Sequence, residues 1–253
     1  MALDDVVKSV ERMNSVAQTE EALRKDPYSQ EARGAFGRYM QTYEGIGETD
    51  ARTMGETMNM DTMRKQLVDL KGGAQQNLVE IARTNYDAIL GALPKDELAD
   101  YALRLGKVPI TAELIDDVVK TKNFGALKET LKRKYSKKVT KDGKEGVELN
   151  KYWASYVDSI EDPNILVQLS QSYAVEERNK FIAKNIGDEV KDEKGKKKYV
   201  LDPFRLNAYI RTKVDGLKPE KQMGAYLDLA SLYAAYKQSK EPLSAEQPLA
   251  LAA

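Results

Sequence analysis

Neither histidine nor cysteine occurs anywhere in this sequence of 253 residues. Histidine is the side chain that ordinarily titrates near neutral pH, and it is the commonest metal ligand. Cysteine supplies thiolate ligands, redox chemistry and the most nucleophilic side chain. Their joint absence excludes His-assisted triads, cysteine nucleophiles, zinc held by thiolate or imidazole, and haem or iron–sulfur centres on their usual ligands. A disulfide framework is excluded too. Carboxylates, lysine, serine and tyrosine remain, and the expectation is a non-enzymatic protein with no cofactor and no metal.

Long hydrophobic runs are also missing. No stretch approaches the roughly 18 apolar residues of a membrane span. The first residues, Met1 to Asp5, are acidic where a secretory signal would be basic. These features give the expectation of a cytoplasmic protein with no membrane partner. Nor does one sign of charge prevail, since 40 basic residues balance 40 acidic ones. No global field therefore draws the molecule to nucleic acid or anionic lipid. The balance is uneven locally: residues 1–60 carry seven basic and eleven acidic side chains, and residues 120–144 carry ten and two.

What is present is helix periodicity. Leu3, Val6, Val7, Val10, Met13 and Ala17 recur at three- and four-residue spacing. Met60, Met63, Leu67 and Leu70 repeat the pattern, as do Leu78, Ile81, Ala82, Tyr86, Ile89 and Leu93 beyond a break at Gly72-Gly73. Further helices are predicted over 95–105, 112–121, 124–135, 164–184 and 219–238, the last with Met223, Leu227, Ala230, Ala234 and Lys237 on one face. Asp26-Pro27, Asp162-Pro163 and Asp202-Pro203 each place a capping carboxylate before a proline, which marks a helix start. Residues 34–58, with five glycines, read as irregular.

Two segments break the helical pattern. Val139–Leu149 turns at Asp142-Gly143, and Glu189–Leu201 turns at Lys194-Gly195, each reading as a Lys-rich hairpin. Leu149-Asn150-Lys151-Tyr152 and Leu201-Asp202-Pro203-Phe204 follow them at a constant offset, which points to tandem helix–hairpin–helix units. The predicted fold is mainly α: an irregular helical bundle or array with two short Lys-rich β-hairpins in the C-terminal half. The expected regions are an acidic helical one over 1–110, a basic one over 111–240, and a flexible tail over 241–253. The tetratricopeptide and HEAT patterns do not fit in register.

Phosphate contacts need accessible cations, with aromatics nearby if bases are to stack. Lys132, Arg133, Lys134, Lys137, Lys138 and Lys141 form one candidate anion or nucleic-acid surface, flanked by Tyr135, Tyr152, Trp153 and Tyr156. Lys196, Lys197 and Lys198, beside Tyr199, form a second. Tyrosine outnumbers phenylalanine fourteen to four, and Tyr226, Tyr233 and Tyr236 form a candidate partner face on the last helix. Gly45, Gly47 and Asp50 approach a dinucleotide fingerprint but lack its third glycine and its strand. The acidic pairs Asp4-Asp5, Glu20-Glu21, Asp116-Asp117 and Glu176-Glu177 diverge by about 100° on a helix, so solvated faces account for them. The functional expectation is a helical adaptor or structural subunit that binds protein partners or self-assembles. Nucleic-acid or ribonucleoprotein binding through the basic hairpins is the second reading, and a carboxylate/lysine enzyme the third.

Overall fold

The computed structural model describes residues 3–141 and 144–240, the side chains at 138, 140, 141, 144 and 145 excepted. The Asp142-Gly143 turn, the expected tail 241–253 and the side chains of Lys138 and Lys141 therefore lie outside the described residues. The fold is mainly α, as the periodicity predicts. Its helices are α1 (Leu3–Lys25), α2 (Gln30–Glu44), α3 (Glu48–Thr57), α4 (Met60–Thr84), α5 (Tyr86–Ala92), α6 (Lys95–Leu105), α7 (Ala112–Thr121) and α8 (Phe124–Lys132). The hairpin β1 (Lys137–Lys141) and β2 (Lys144–Glu148) follows, then α9 (Lys151–Ser159) and α10 (Pro163–Phe181), which ends in a π-helical turn over Ile182–Ile186. A second hairpin, β3 (Gly187–Lys191) and β4 (Lys197–Leu201), leads into α11 (Pro203–Asp215) and α12 (Pro219–Lys240).

Both hairpins are antiparallel. Lys137 stands opposite Glu148 in the first, and Gly187 opposite Leu201 in the second. Each runs at once into a capped helix. The Asn150 side chain accepts from Trp153 N–H, and the Asp202 carboxylate accepts from Phe204 and Arg205 N–H. Asp162 caps α10 in the same way, through Asn164 N–H.

Three local expectations need correction. Asp26-Pro27 does not start a helix: the Asp26 carboxylate accepts from Tyr28 N–H in a turn, and Ser29 caps α2 by accepting from Ala32 N–H at 3.0 Å. Gly72-Gly73 does not break α4, because Leu67 and Ala74 are buried on either side and packing holds the helix through both glycines. Residues 34–58 are not irregular, for they form most of α2 and all of α3. Their glycines serve close helix packing instead. A Cβ on Gly37 would stand 2.7 Å from the Ala51 carbonyl oxygen, and one on Gly55 would stand 2.6 Å from that of Arg33.

The described residues divide into two compact units, one reaching to Leu93 and including α12, the other spanning Pro94–Gly216. In the first, α1 packs on α2, α4 and α12, and α12 also packs on α4. Val16, Leu23, Phe36, Tyr39, Met63 and Leu67 are buried together there, with Met54, Met58 and Met60 packed against them. In the second, Ile110, Ile115, Leu127, Leu131, Val157 and Leu166 form the core, drawn from α7 to α10 and their connections. The expected change from an acidic to a basic region, between residues 110 and 111, lies inside this second unit. Charge is distributed by surface, whereas the units follow the apolar stripes that must be buried together.

Candidate functional site

The two hairpin–helix junctions of the second unit carry most of the chemistry the sequence pointed to, and the structure divides their cations into two groups. Lys132, in the last turn of α8, turns back rather than outward. Its Nζ lies 2.9 Å from Glu129 Oε1 and 2.6 Å from Asp158 Oδ1, and the side chain is 16% exposed. The hydrogen bond to Asp158 is the main cause that raises its pKa. Lys134 is held similarly, 2.9 Å from Glu176 Oε2, between the rings of Tyr135 and Tyr173 with centroids 5.3 and 5.1 Å away. Glu176 also receives Lys180 at 2.8 Å. Hydrogen bonds from Lys180 first, then Lys134, hold the Glu176 carboxyl down at about 2.

Lys197 pairs with Glu189 at 2.9 Å across the second hairpin. Lys196 is exposed, and its backbone N–H donates to Asp192 to close the turn. Arg133, Lys137 and Lys198 are also exposed, and among the described residues none of them forms an ion pair. Three of the sequence-predicted cations are thus neutralised by carboxylates from other parts of the chain.

The aromatics are arranged differently. Trp153 is half-buried, and its indole N–H donates to the Leu131 carbonyl at the end of α8. Tyr135 meets its ring edge-on at 5.1 Å, and Tyr156 lies tilted at 5.5 Å. Trp153 so ties α9 to α8 and supports the junction. Tyr152, one residue earlier, points away and is 91% exposed, beside an open cleft of about 290 Å³ shared with Tyr135, Lys137 and Lys151. At the other junction Phe204 takes the matching position after its cap and is 87% exposed. The repeated spacing after the two hairpins was the sequence signal for Phe204, but spacing alone does not say that both rings face water.

The structure separates the three tyrosines expected to share a face on the last helix. Tyr233 is 1% exposed and cannot present itself to a partner. Tyr226 and Tyr236 are half-buried, Tyr226 edge-on to Tyr86 at 5.6 Å and Tyr236 beside Lys240 at 5.9 Å. The near-fingerprint at Gly45–Asp50 is a helix junction: Gly45 ends α2 with φ 69° and Gly47 begins α3. Among the described residues no three Asp or Glu side chains group closely enough to hold a metal ion. Glu20 and Glu21 pair with Lys71 and Lys25, and Glu176 and Glu177 with Lys180. No helix among the described residues is long and apolar enough to cross a membrane. Comparison of the chain with protein-family models, curated proteins and solved structures found no match.

Proposed function

We propose that this protein is a non-enzymatic helical adaptor or structural subunit of the cytoplasm that binds other proteins through its hairpin–helix junctions. The observation that carries this reading is the pair of aromatic rings, Tyr152 and Phe204, held 91% and 87% exposed at matching positions on capped helix starts. An aromatic ring left in water forgoes about 1.5–3 kcal/mol of burial free energy, which a partner recovers by covering it. Rings of this kind, fixed on a rigid helix, are the usual anchors of protein interfaces. Val147 and Val200, 56% and 41% exposed on the adjoining strands, extend the apolar surface. Carboxylates already neutralise Lys132, Lys134 and Lys197, which leaves less charge for a phosphate backbone.

Nucleic-acid binding is the second reading, favoured by Tyr152 standing beside exposed Lys137 and Lys151, since bases stack on such rings between cations. Photo-crosslinking residues placed at 152 and 204 in the native host separate the two. Protein adducts that resist nuclease and persist at high salt are expected, and a photo-crosslinker placed instead at the neighbouring exposed Lys151 should lose them in the Tyr152→Ser/Phe204→Ser double variant while its helical spectrum is unchanged. Adducts consisting of RNA or DNA would replace the first reading with the second. Absence of adducts at both positions would refute both.

A further inference from the structure

An open cavity of about 470 Å³ lies away from the hairpins, in the first unit between α2 and α3. That volume falls in the range of small-molecule pockets, roughly 300–1,000 Å³. It exists because glycine lines it. Gly37 and Gly55 are required by close backbone contact, as described above, but Gly34 is not. A Cβ there would meet only the Arg38 guanidinium, Nη1 at 3.4 Å. Glycine inside a helix is less stable than alanine there, so Gly34 leaves the groove open where packing does not demand it.

Three guanidiniums line this floor. Arg33 is fixed: its Nη1 donates to the carbonyls of Gly55, Glu56 and Met58, at 3.1, 3.1 and 3.3 Å, which close the C-terminus of α3. Carbonyls carry no net charge, so the arginine keeps its own. Arg38 lies over Gly34, and Arg52 is exposed on α3. Glu48 and Glu56 stand one helical turn to either side of Arg52, where i,i+4 ion pairs ordinarily form. Among the described residues neither Arg38 nor Arg52 makes an ion pair, so the groove holds cations and carboxylates that do not satisfy each other. Tyr28, 79% exposed, stands at the rim.

We propose that this groove binds a nucleoside monophosphate. Guanidinium forks match phosphate oxygens, and Arg38 and Arg52 are the cations left for them. Carboxylates accept from the hydroxyls of a ribose diol, which gives Glu48 and Glu56 a role that a simple anion does not. The exposed ring of Tyr28 offers a stacking face for a base. The inference is independent of the hairpin surface, because no residue is shared.

The experiment is isothermal titration of the full chain with the four common ribonucleoside monophosphates, their parent nucleosides and inorganic phosphate. At least one monophosphate is expected to bind with Kd of about 1 mM or tighter. Its nucleoside and inorganic phosphate should each bind about tenfold more weakly or worse, since neither alone occupies both ends of the groove. Arg38→Gln and Arg52→Gln should each weaken binding about tenfold, and Gly34→Leu should abolish it. Gly34→Ala, whose helical spectrum and melting should match or exceed those of the parent, shows that position 34 tolerates a side chain without unfolding. Absence of binding by all four monophosphates, equal binding of inorganic phosphate, or binding untouched by the arginine substitutions would each overturn the proposal.

Discussion

Glycine carries opposite meanings at different residues of this chain. Gly72 and Gly73 have open space where a Cβ would stand, whereas Gly37 and Gly55 face backbone oxygens at 2.7 and 2.6 Å. Gly72→Ala is therefore expected to stabilise the first unit by about 0.5–1 kcal/mol, the ordinary helix-propensity gain. Gly37→Ala and Gly55→Ala should instead destabilise it by about 1–3 kcal/mol, because α2 and α3 must move apart. Urea denaturation of the three variants checks the sign; a gain at Gly37 or Gly55 would contradict the close contact. Glu176 supplies a pH-dependent counterpart. Its folded pKa of about 2 lies below the usual 4.5, so its ion pairs stabilise the folded chain fully above pH 4.5. That contribution is lost as pH falls through this window toward 2. The parent should accordingly be more stable than Glu176→Gln at pH 6, and the difference should vanish near pH 2, as measured by melting across the range.

At the scale of elements, the start of α2 separates two capping signals that lie three residues apart. Both Asp26 and Ser29 have the right side chain, but only Ser29 reaches the third N–H of the helix, while Asp26 is used by the preceding turn. Ser29→Ala is expected to cost about 1 kcal/mol, and Asp26→Ala distinctly less, by thermal melting. The reverse order would restore the Asp-Pro start. The other two Asp-Pro pairs cap α10 and α11 because no competing Ser or Thr follows them before the helix begins. The first apolar stripe shows a related shift. Val6 and Val10 are buried in α1 as their spacing implies, but Ala17 is exposed, and Val16, Thr19 and Leu23 continue the buried face. Thr19 is tolerated there because its hydroxyl donates to the Ser15 carbonyl at 2.8 Å, so no polar group is left unpaired.

At the scale of the whole molecule, the first unit is discontinuous in sequence, completed by α12. Leu229, Ala230, Tyr233 and Ala234 of that helix are all at most 2% exposed, and α12 packs on both α1 and α4. A chain ending at Gly216 should therefore lose more helix than the 22 residues of α12 account for, because the faces it covers are opened to water. Far-UV circular dichroism measures this directly. A loss limited to α12 itself would mean that α1 and α4 hold without it.

The mainly helical class, the two hairpins, the caps at Asp162 and Asp202, and the core placement of Met63 were legible in the sequence. Each rests on a pattern spanning a few residues: a 3.6-residue period, a side chain beside its own N–H groups, or a turn between extended flanks. The basic and aromatic composition of the candidate site was legible in the same local way. Tertiary structure alone decided which of those groups are available. Lys132 and Lys134 are neutralised by Asp158 and Glu176, Tyr233 is buried, and Tyr152 and Phe204 remain in water. It alone also brought Arg33, Arg38 and Arg52 around one groove and returned α12 to the first unit. These outcomes depend on partners distant along the chain, and the energy of burying a stripe or pairing a charge exists only once packing has brought both sides together.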